Sequence, residues 1–367
     1  MQKKIKFLLS LLVVLAMIVL AACGNGADTP ADSNGDVSDQ SGVATKSFTD
    51  STNRVVDVPA KVERIVPSGP LTQMMMLAIA PDLMVGLSSE WAEAETFVPE
   101  QYRALPITGQ LYGGKGELNL EQIAAVDSQL IVDVGEPKGT IAEDMDELTK
   151  QIGIPAVHIT ATLDDMAGAY RLLGQLLGRE EKGEELASYC EKIYNRTLDI
   201  MDRVGEENKI SILNCGGDVG LNVIAKGSYH AQMLDLLCDN LAVVPEPTSK
   251  GTGNEVDMEQ LLLWDPAVIL FSPQSIYAQV GSDPAWLELS AIKNGTYYEV
   301  PFGPYNWLGS PPSINRYLGL IWLPKLLYPT YAEYDLYQEA AQYYKLFYDY
   351  ELSEEEFTTL TANALAK

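Results

Sequence analysis

The chain has 367 residues, more than one ordinary core organises and enough for two lobes of roughly 100–200 residues each. Its formal charge is −26, and because Lys3, Lys4 and Lys6 fall in an apolar leader, the remainder carries 22 Lys and Arg against 51 Asp and Glu. That balance argues against nucleic acid or an anionic membrane surface as the main partner, and it makes any local group of cations conspicuous.

Three lysines precede FLLSLLVVLAMIVLAAC, which reads as the charged, apolar and small-residue regions of a signal peptide over residues 1–23. The apolar run is slightly short of the roughly 20 residues that span a bilayer. Leu20-Ala21-Ala22-Cys23 resembles the lipobox of bacterial lipoproteins, in which the cysteine is acylated and becomes the first mature residue. Cys23 is therefore the expected lipid anchor, and the mature protein is expected outside the cytoplasm. Residues 24–47 are polar, acidic and nearly free of large apolar side chains, the composition of a flexible tether.

From Arg64 onward, short apolar runs alternate with helix-length segments. RIVPS leads into PLTQMMMLAIA, then LMVGLSSE, LPITG, the helix NLEQIAAV, the strand QLIVDV, a helix around AEDMDELTKQIG, and PAVHIT. Such alternation predicts parallel βαβ units in a first lobe, residues 48–163. Residues 164–205 have few Gly or Pro, and after Gly178 one long helix of about 25 residues is expected. Its apolar stripe reads as Leu186, Tyr189, Ile193, Leu198 and Met201. A second series occupies 206–330: strand KISILNC, helix YHAQMLDLLC, strand LAVVPE, helix MEQLLLW, strand AVILFSP and strand TYYEVPFG. Residues 331–367 read as terminal helices packed back on a lobe. The predicted fold is α/β, with two Rossmann-like lobes joined by a single long helix and a ligand cleft between them.

One element occurs twice. GELNLEQIAAVDSQLIV, residues 116–132, aligns without a gap with NEVDMEQLLLWDPAVIL, residues 254–270, at a constant offset of 138. Asn119 and Asp257 have the character of N-caps, with Gln122 and Gln260 placed as reciprocal partners of capping boxes. Glu121 and Glu259 would also suit the helix dipole, which accepts an acid anywhere in the first turn. The repeat marks two lobes of similar topology.

Leader, tether, paired lobes, helical connection and the repeated N/D-x-E-Q-[IL] element together resemble the extracytoplasmic substrate-binding proteins of ABC importers, class III, whose members carry iron-siderophores, haem and cobalamin. The likeness runs from Phe48 to about Tyr350. It implies that Glu121 and Glu259, one per lobe, dock on basic residues of a membrane permease dimer. An anionic contact on each lobe suits a two-fold partner.

Ligands of open α/β lobes collect beyond the carboxyl ends of the strands. The loops placed there offer Ser89, Trp91, Tyr112, Lys115, Lys226, Tyr229, Tyr305, Asn306, Trp307 and Arg316 as candidate ligand contacts. Arg316 suits a carboxylate or oxyanion, against the plainer reading of an exposed helix position. The plainer reading of the aromatic residues is packing against the lobe. The expected cargo is a small molecule, an iron(III) chelate of the siderophore type. The alternatives are a molybdate-like oxyanion, for which the helix start after Ser68-Gly69-Pro70 is suited, and haem or cobalamin. Haem would want an axial ligand such as Tyr112, Tyr229 or Tyr305.

No resident cofactor or metal site is expected. His158 and His230 are the chain's two histidines, and Cys190, Cys215 and Cys238 form no CxxC pair. Buried free thiols are the preferred reading of these cysteines, with a Cys215–Cys238 disulfide as the alternative. His158 reads as a satisfied structural histidine. G-x-S-x-G, H-E-x-x-H and the P-loop are all missing, so the chain does not read as an enzyme. A surface adhesin would share the leader and tether but would not need two matched lobes.

Overall fold

The computed structural model describes residues 44–91, 97–112, 117–248 and 250–366. A hairpin of β1 (Thr45–Thr49) and β2 (Val55–Pro59) opens the first lobe. Its sheet has β4 (Leu130–Gly135) between β3 (Ile65–Pro67) and β5 (Ala156–Thr160), all parallel. The segments LMVGLSSE and LPITG, expected as strands, contribute only single bridges, Ile65 to Met84 and Leu87 to Ile107.

The second lobe holds β6 (Ser211–Gly216), β7 (Asn222–Val223), β8 (Asp239–Asn240), β9 (Asn254–Glu255), β10 (Val268–Phe271) and β11 (Tyr297–Glu299). The order is β11-β10-β6-β7-β9, with β8 also pairing β6. β8, β10 and β11 keep the parallel sense, whereas β7 and β9 form an antiparallel ribbon on β6 and β7 respectively. The second sheet is therefore mixed rather than purely parallel. LAVVPE is not a strand: pairing with β6 ends at Asn240, and Val243 stands exposed.

Alternation along the strands divides the core. Leu130, Val132 and Val134 of β4, and Val268 and Leu270 of β10, face one shared central core. Ile131 points into an outer cluster of the first lobe, and Ile269 and Phe271 into one of the second. This is the two-residue period of a strand covered on both faces.

The helix Glu180–Val204 crosses the central core over 25 residues, about 37 Å at 1.5 Å per residue. Gly178, left-handed at φ 64°, closes the preceding helix Met166–Leu177. Leu186, Tyr189, Ile193 and Met201 are buried as expected, but Leu198 is exposed and Thr197 takes the inward place. Steps of four from Tyr189 reach 193, 197 and 201, and Leu198 lies one residue beyond that line. The Thr197 hydroxyl lies 2.9 Å from the Ile193 carbonyl and 3.4 Å from that of Leu320.

The tail helix Leu336–Tyr348 packs on Pro70–Ile79 of the first lobe and on Arg316–Leu327 of the second, so it spans both lobes rather than capping one. Phe97 of the first lobe packs at a tilt on Tyr344 and edge-to-face on Tyr350, while Tyr344 Oη donates to the Gly303 carbonyl in the second. Cys190, Cys215 and Cys238 are buried free thiols.

Candidate functional site

The two repeated helices, Leu120–Ala125 and Met258–Trp264, start alike. Asn119 Oδ1 accepts from Gln122 N at 3.0 Å, and Asp257 Oδ1 accepts from Gln260 N at 2.8 Å. Neither glutamine side chain reaches back, so each helix start has half of a capping box; the full box lies at Ser353 and Glu356. The repeat extends to the helix ends, where Asp127 and Asp265 both hold positive φ, at 52° and 36°. With capping done by Asn119 and Asp257, Glu121 and Glu259 are exposed and make no hydrogen bond or ion pair among the described residues.

The strand ends of both lobes converge around one seam, which side chains bridge directly. Gln73, fully buried, is the first latch. Its Oε1 accepts from Ser88 N at 2.7 Å and holds the loop bearing Ser89 and Trp91, while Nε2 lies 3.5 Å from Tyr305 Oη in the opposite lobe. The Trp91 and Tyr305 rings sit 6.0 Å apart across the seam. Tyr229 Oη donates to the Ala161 carbonyl at 2.8 Å, and Tyr317 Oη to the Leu163 carbonyl at 2.9 Å. Burial raises the Tyr229 phenol above its usual range, with the Arg316 charge opposing, so it remains a donor. Burial also raises Tyr305.

Arg316 occupies the centre of this seam and is only 2% exposed. One nitrogen, Nη1, donates to Gln232 Oε1 at 3.1 Å, and the guanidinium lies 4.8 Å from the centre of the Tyr229 ring. Nε and Nη2 are buried with no acceptor, and no carboxylate pairs with the group among the described residues. Those two nitrogens form one edge of the fork, the edge that grips two oxygens of a carboxylate or oxyanion side-on. The residue also opens the helix Arg316–Leu327, where the dipole disfavours a cation. An uncompensated buried charge costs several kcal/mol.

Beside this seam, on the second lobe, lies a cavity of about 160 Å³ lined by Gly216, Gly217, Asn222, Ser272, Gln274 and Asn306, among others. Gly217 adopts φ 76°, and a Cβ there would fall 2.4 Å from Asn222 Oδ1, so the turn has room for glycine alone.

The other candidates are scattered. Asn306 is buried, and its Oδ1 accepts from Leu308, Gly309 and Ser310 N, a loop-shaping role that leaves the oxygen engaged. Trp307 is fully buried in the central core. Tyr112 lies against the outer cluster of the first lobe, its hydroxyl on Asp144 and its ring 3.6 Å from Lys138 Nζ. Lys226 is exposed and pairs with Asp239 at 3.3 Å. Lys115 and Cys23 lie outside the described residues. His158 is buried, Nδ1 2.6 Å from Asp133, which also accepts from Ser68, so it is satisfied internally. Residues the sequence did not single out include Gln73 and Gln232, together with Ser228 and Ser313, whose buried hydroxyls have no partner. The periodic spacing of apolar residues carries no mark of them.

The family model described as periplasmic binding protein matches residues 78–303. The chain belongs to that family. Its members bind substrates without transforming them, and the protein is accordingly an extracytoplasmic binding protein rather than an enzyme. Solved structures with the same architecture include an ABC transporter solute-binding protein from Sulfurospirillum deleyianum, 28% identical with a TM-score of 0.78, covering 86% of this chain and 99% of that one. A periplasmic solute-binding protein from Veillonella parvula is 22% identical, with a TM-score of 0.69 over 88% of this chain and 98% of that one. The molybdate periplasmic binding protein MolA of Haemophilus influenzae, solved with molybdate, is 20% identical, with a TM-score of 0.68 over 84% and 99%. Comparison with curated proteins gives no match.

Proposed function

We propose that the protein is the lipid-anchored binding component of an ABC importer, that it captures an anionic iron(III) chelate of the siderophore type, and that it hands this cargo to a membrane permease dimer through Glu121 and Glu259. The observation that carries the ligand class is Arg316, buried with Nε and Nη2 unpaired. Tyr229 lays its ring against the guanidinium, and Trp91 and Tyr305 meet across the same seam, flat surface that suits a chelate with aromatic or planar arms. A bare divalent cation is disfavoured by the same charge, and the described residues hold no group of three or more His, Cys, Asp or Glu that could take one.

A tetrahedral oxyanion is the second reading. The cavity of about 160 Å³ favours it, being below the roughly 300–1,000 Å³ common for small-molecule sites. Calorimetry with ferric catecholate, ferric hydroxamate and molybdate separates the readings: binding of a chelate alone supports the first, and of molybdate alone the second. Binding only of uncharged or cationic ligands defeats both.

The delivery role is tested by Glu121→Lys with Glu259→Lys. Uptake into cells should be abolished while ligand affinity in solution stays within about twofold, since exposed charges steer docking and do not touch the cleft. Normal uptake by the double variant removes the docking assignment. For the anchor, Cys23→Ala should release the protein from the membrane fraction, and mass spectrometry of the native N-terminus should find a diacylglyceryl cysteine.

A further inference from the structure

The cavity on the second lobe is built from groups that carry no charge. In a chain with 25 Lys and Arg and 51 Asp and Glu, none of those residues lines it, and neither does a histidine. Its polar side chains are Asn222, Thr252, Ser272, Gln274, Asn306 and Ser310, while Ile224 and Phe302 form the apolar part of the wall. Gly216 ends β6 and Ser272 follows β10, so the cavity lies at the carboxyl ends of the strands. Asn306 and Ser310 belong to the loop between β11 and the helix that Arg316 opens.

Asn306 shows what the cavity lacks. The residue is only 3% exposed, and its Oδ1 accepts from the backbone N–H groups of Leu308, Gly309 and Ser310. Those donors fix which end of the amide is the oxygen. Nδ2 is the end left over, and it has no acceptor among the described residues. Leaving a buried donor unmet is costly, and a ligand atom would meet it. The hydroxyls of Thr252, Ser272 and Ser310 and the amide of Asn222 also make no hydrogen bond among the described residues. Two glycines keep room beside two of these groups: a Cβ on Gly216 would fall 3.0 Å from Ser272 Oγ, and one on Gly217 2.4 Å from Asn222 Oδ1.

Hydroxyls and amides both donate and accept. Their complement is a group that does the same, a hydroxyl or a carboxamide. A carboxylate or a molybdate-like ion offers acceptors alone, and with no cation in the wall its loss of water goes uncompensated. We infer that this cavity is a subsite for an uncharged hydroxyl or carboxamide on an arm of the cargo, with Asn306 Nδ2 and Ser272 Oγ as its specificity-determining contacts. At about 160 Å³ it takes part of a ligand rather than the whole, which needs roughly 300–1,000 Å³. The inference rests on the anionic-chelate reading above and divides recognition in two, with charge met at Arg316 and neutral hydrogen bonds made here. By size alone the cavity admits a molybdate, but its lining selects against one.

The test is calorimetry with two iron(III) tris-catecholates of equal charge, one unsubstituted and one bearing a carboxamide on each ring. The wild type should bind the substituted chelate tighter by about tenfold or more, the scale of one or two net hydrogen bonds. Asn306→Asp keeps the oxygen that shapes the loop and replaces the donor by a second acceptor, so the ratio of the two affinities should fall to within about twofold of unity. Ser272→Ala should lower the ratio by about threefold. Equal affinities in the wild type, or a preference that both variants retain, would overturn the subsite while leaving the chelate reading intact. Binding of neither chelate would remove that reading and the subsite with it. Molybdate binding that is lost in Asn306→Asp would reassign the cavity to an oxyanion, and the inference would fall.

Discussion

Two arginines of the same protein, one half-buried and one fully buried, are treated in opposite ways. Arg196, on the back of the long helix, donates to both oxygens of Glu339 at 2.6 and 3.1 Å and stacks 4.1 Å from the Tyr334 ring. Arg316, in the seam, is more deeply buried and yet has a glutamine and an aromatic face as its neighbours, with Nε and Nη2 unpaired. The first is complete within itself, whereas the second leaves two buried nitrogens without an acceptor, and on that contrast the proposed ligand role of Arg316 rests.

The sharpest way to break this comparison is to truncate each residue and read affinity and stability separately. Arg316→Ala should weaken binding of the anionic ligand by about 100-fold or more, the scale for losing one partner of a buried charge pair. Arg316→Lys should recover little, because an ammonium cannot offer the two-pronged edge. Without ligand, Arg316→Ala should melt no lower than the wild type, since an unpaired buried charge has been removed. Arg196→Ala should do the reverse, lowering stability by about 1–3 kcal/mol as Glu339 loses its partner, with calorimetric affinity unchanged. A melting temperature that falls equally in both variants would erase the distinction. A smaller effect sharpens it: Gln232→Ala should weaken ligand binding by about tenfold, on the scale of one hydrogen bond to a charged group, because Nη1 loses its anchor and the fork can turn.

How much of this was legible in the sequence follows the distance between interacting residues. The long helix, its start after Gly178, the paired caps at Asn119 and Asp257 and the exposed Glu121 and Glu259 all depend on neighbours within a few positions. Arg316 was legible as a candidate anion contact, but its two unpaired nitrogens were not. Gln232, 84 positions earlier, takes only Nη1, and Tyr229 covers the group. Gln73 reads as an ordinary polar residue in an apolar helix until its reach to Tyr305, 232 positions on, is seen. LAVVPE failed as a strand because apolar runs signal burial rather than pairing, and the place beside β6 was already held by Asp239 and Asn240. Trp307 looked like a ligand platform from composition alone, and the fold spends it in the core.

The tail has a consequence for when the molecule comes into being. Asn315 accepts from Tyr343 and Tyr348, and its amide holds the Gly303 and Tyr305 carbonyls of the seam loop. Trp322 donates to the Ala364 carbonyl, and Glu299 N to that of Asn363. Helix Pro70–Ile79, among the first elements to leave the ribosome, is covered by residues made more than 250 positions later. The native contacts of both lobes are therefore complete only once residues 336–364 are present, so a chain cut short of them would leave exposed apolar surface in each lobe.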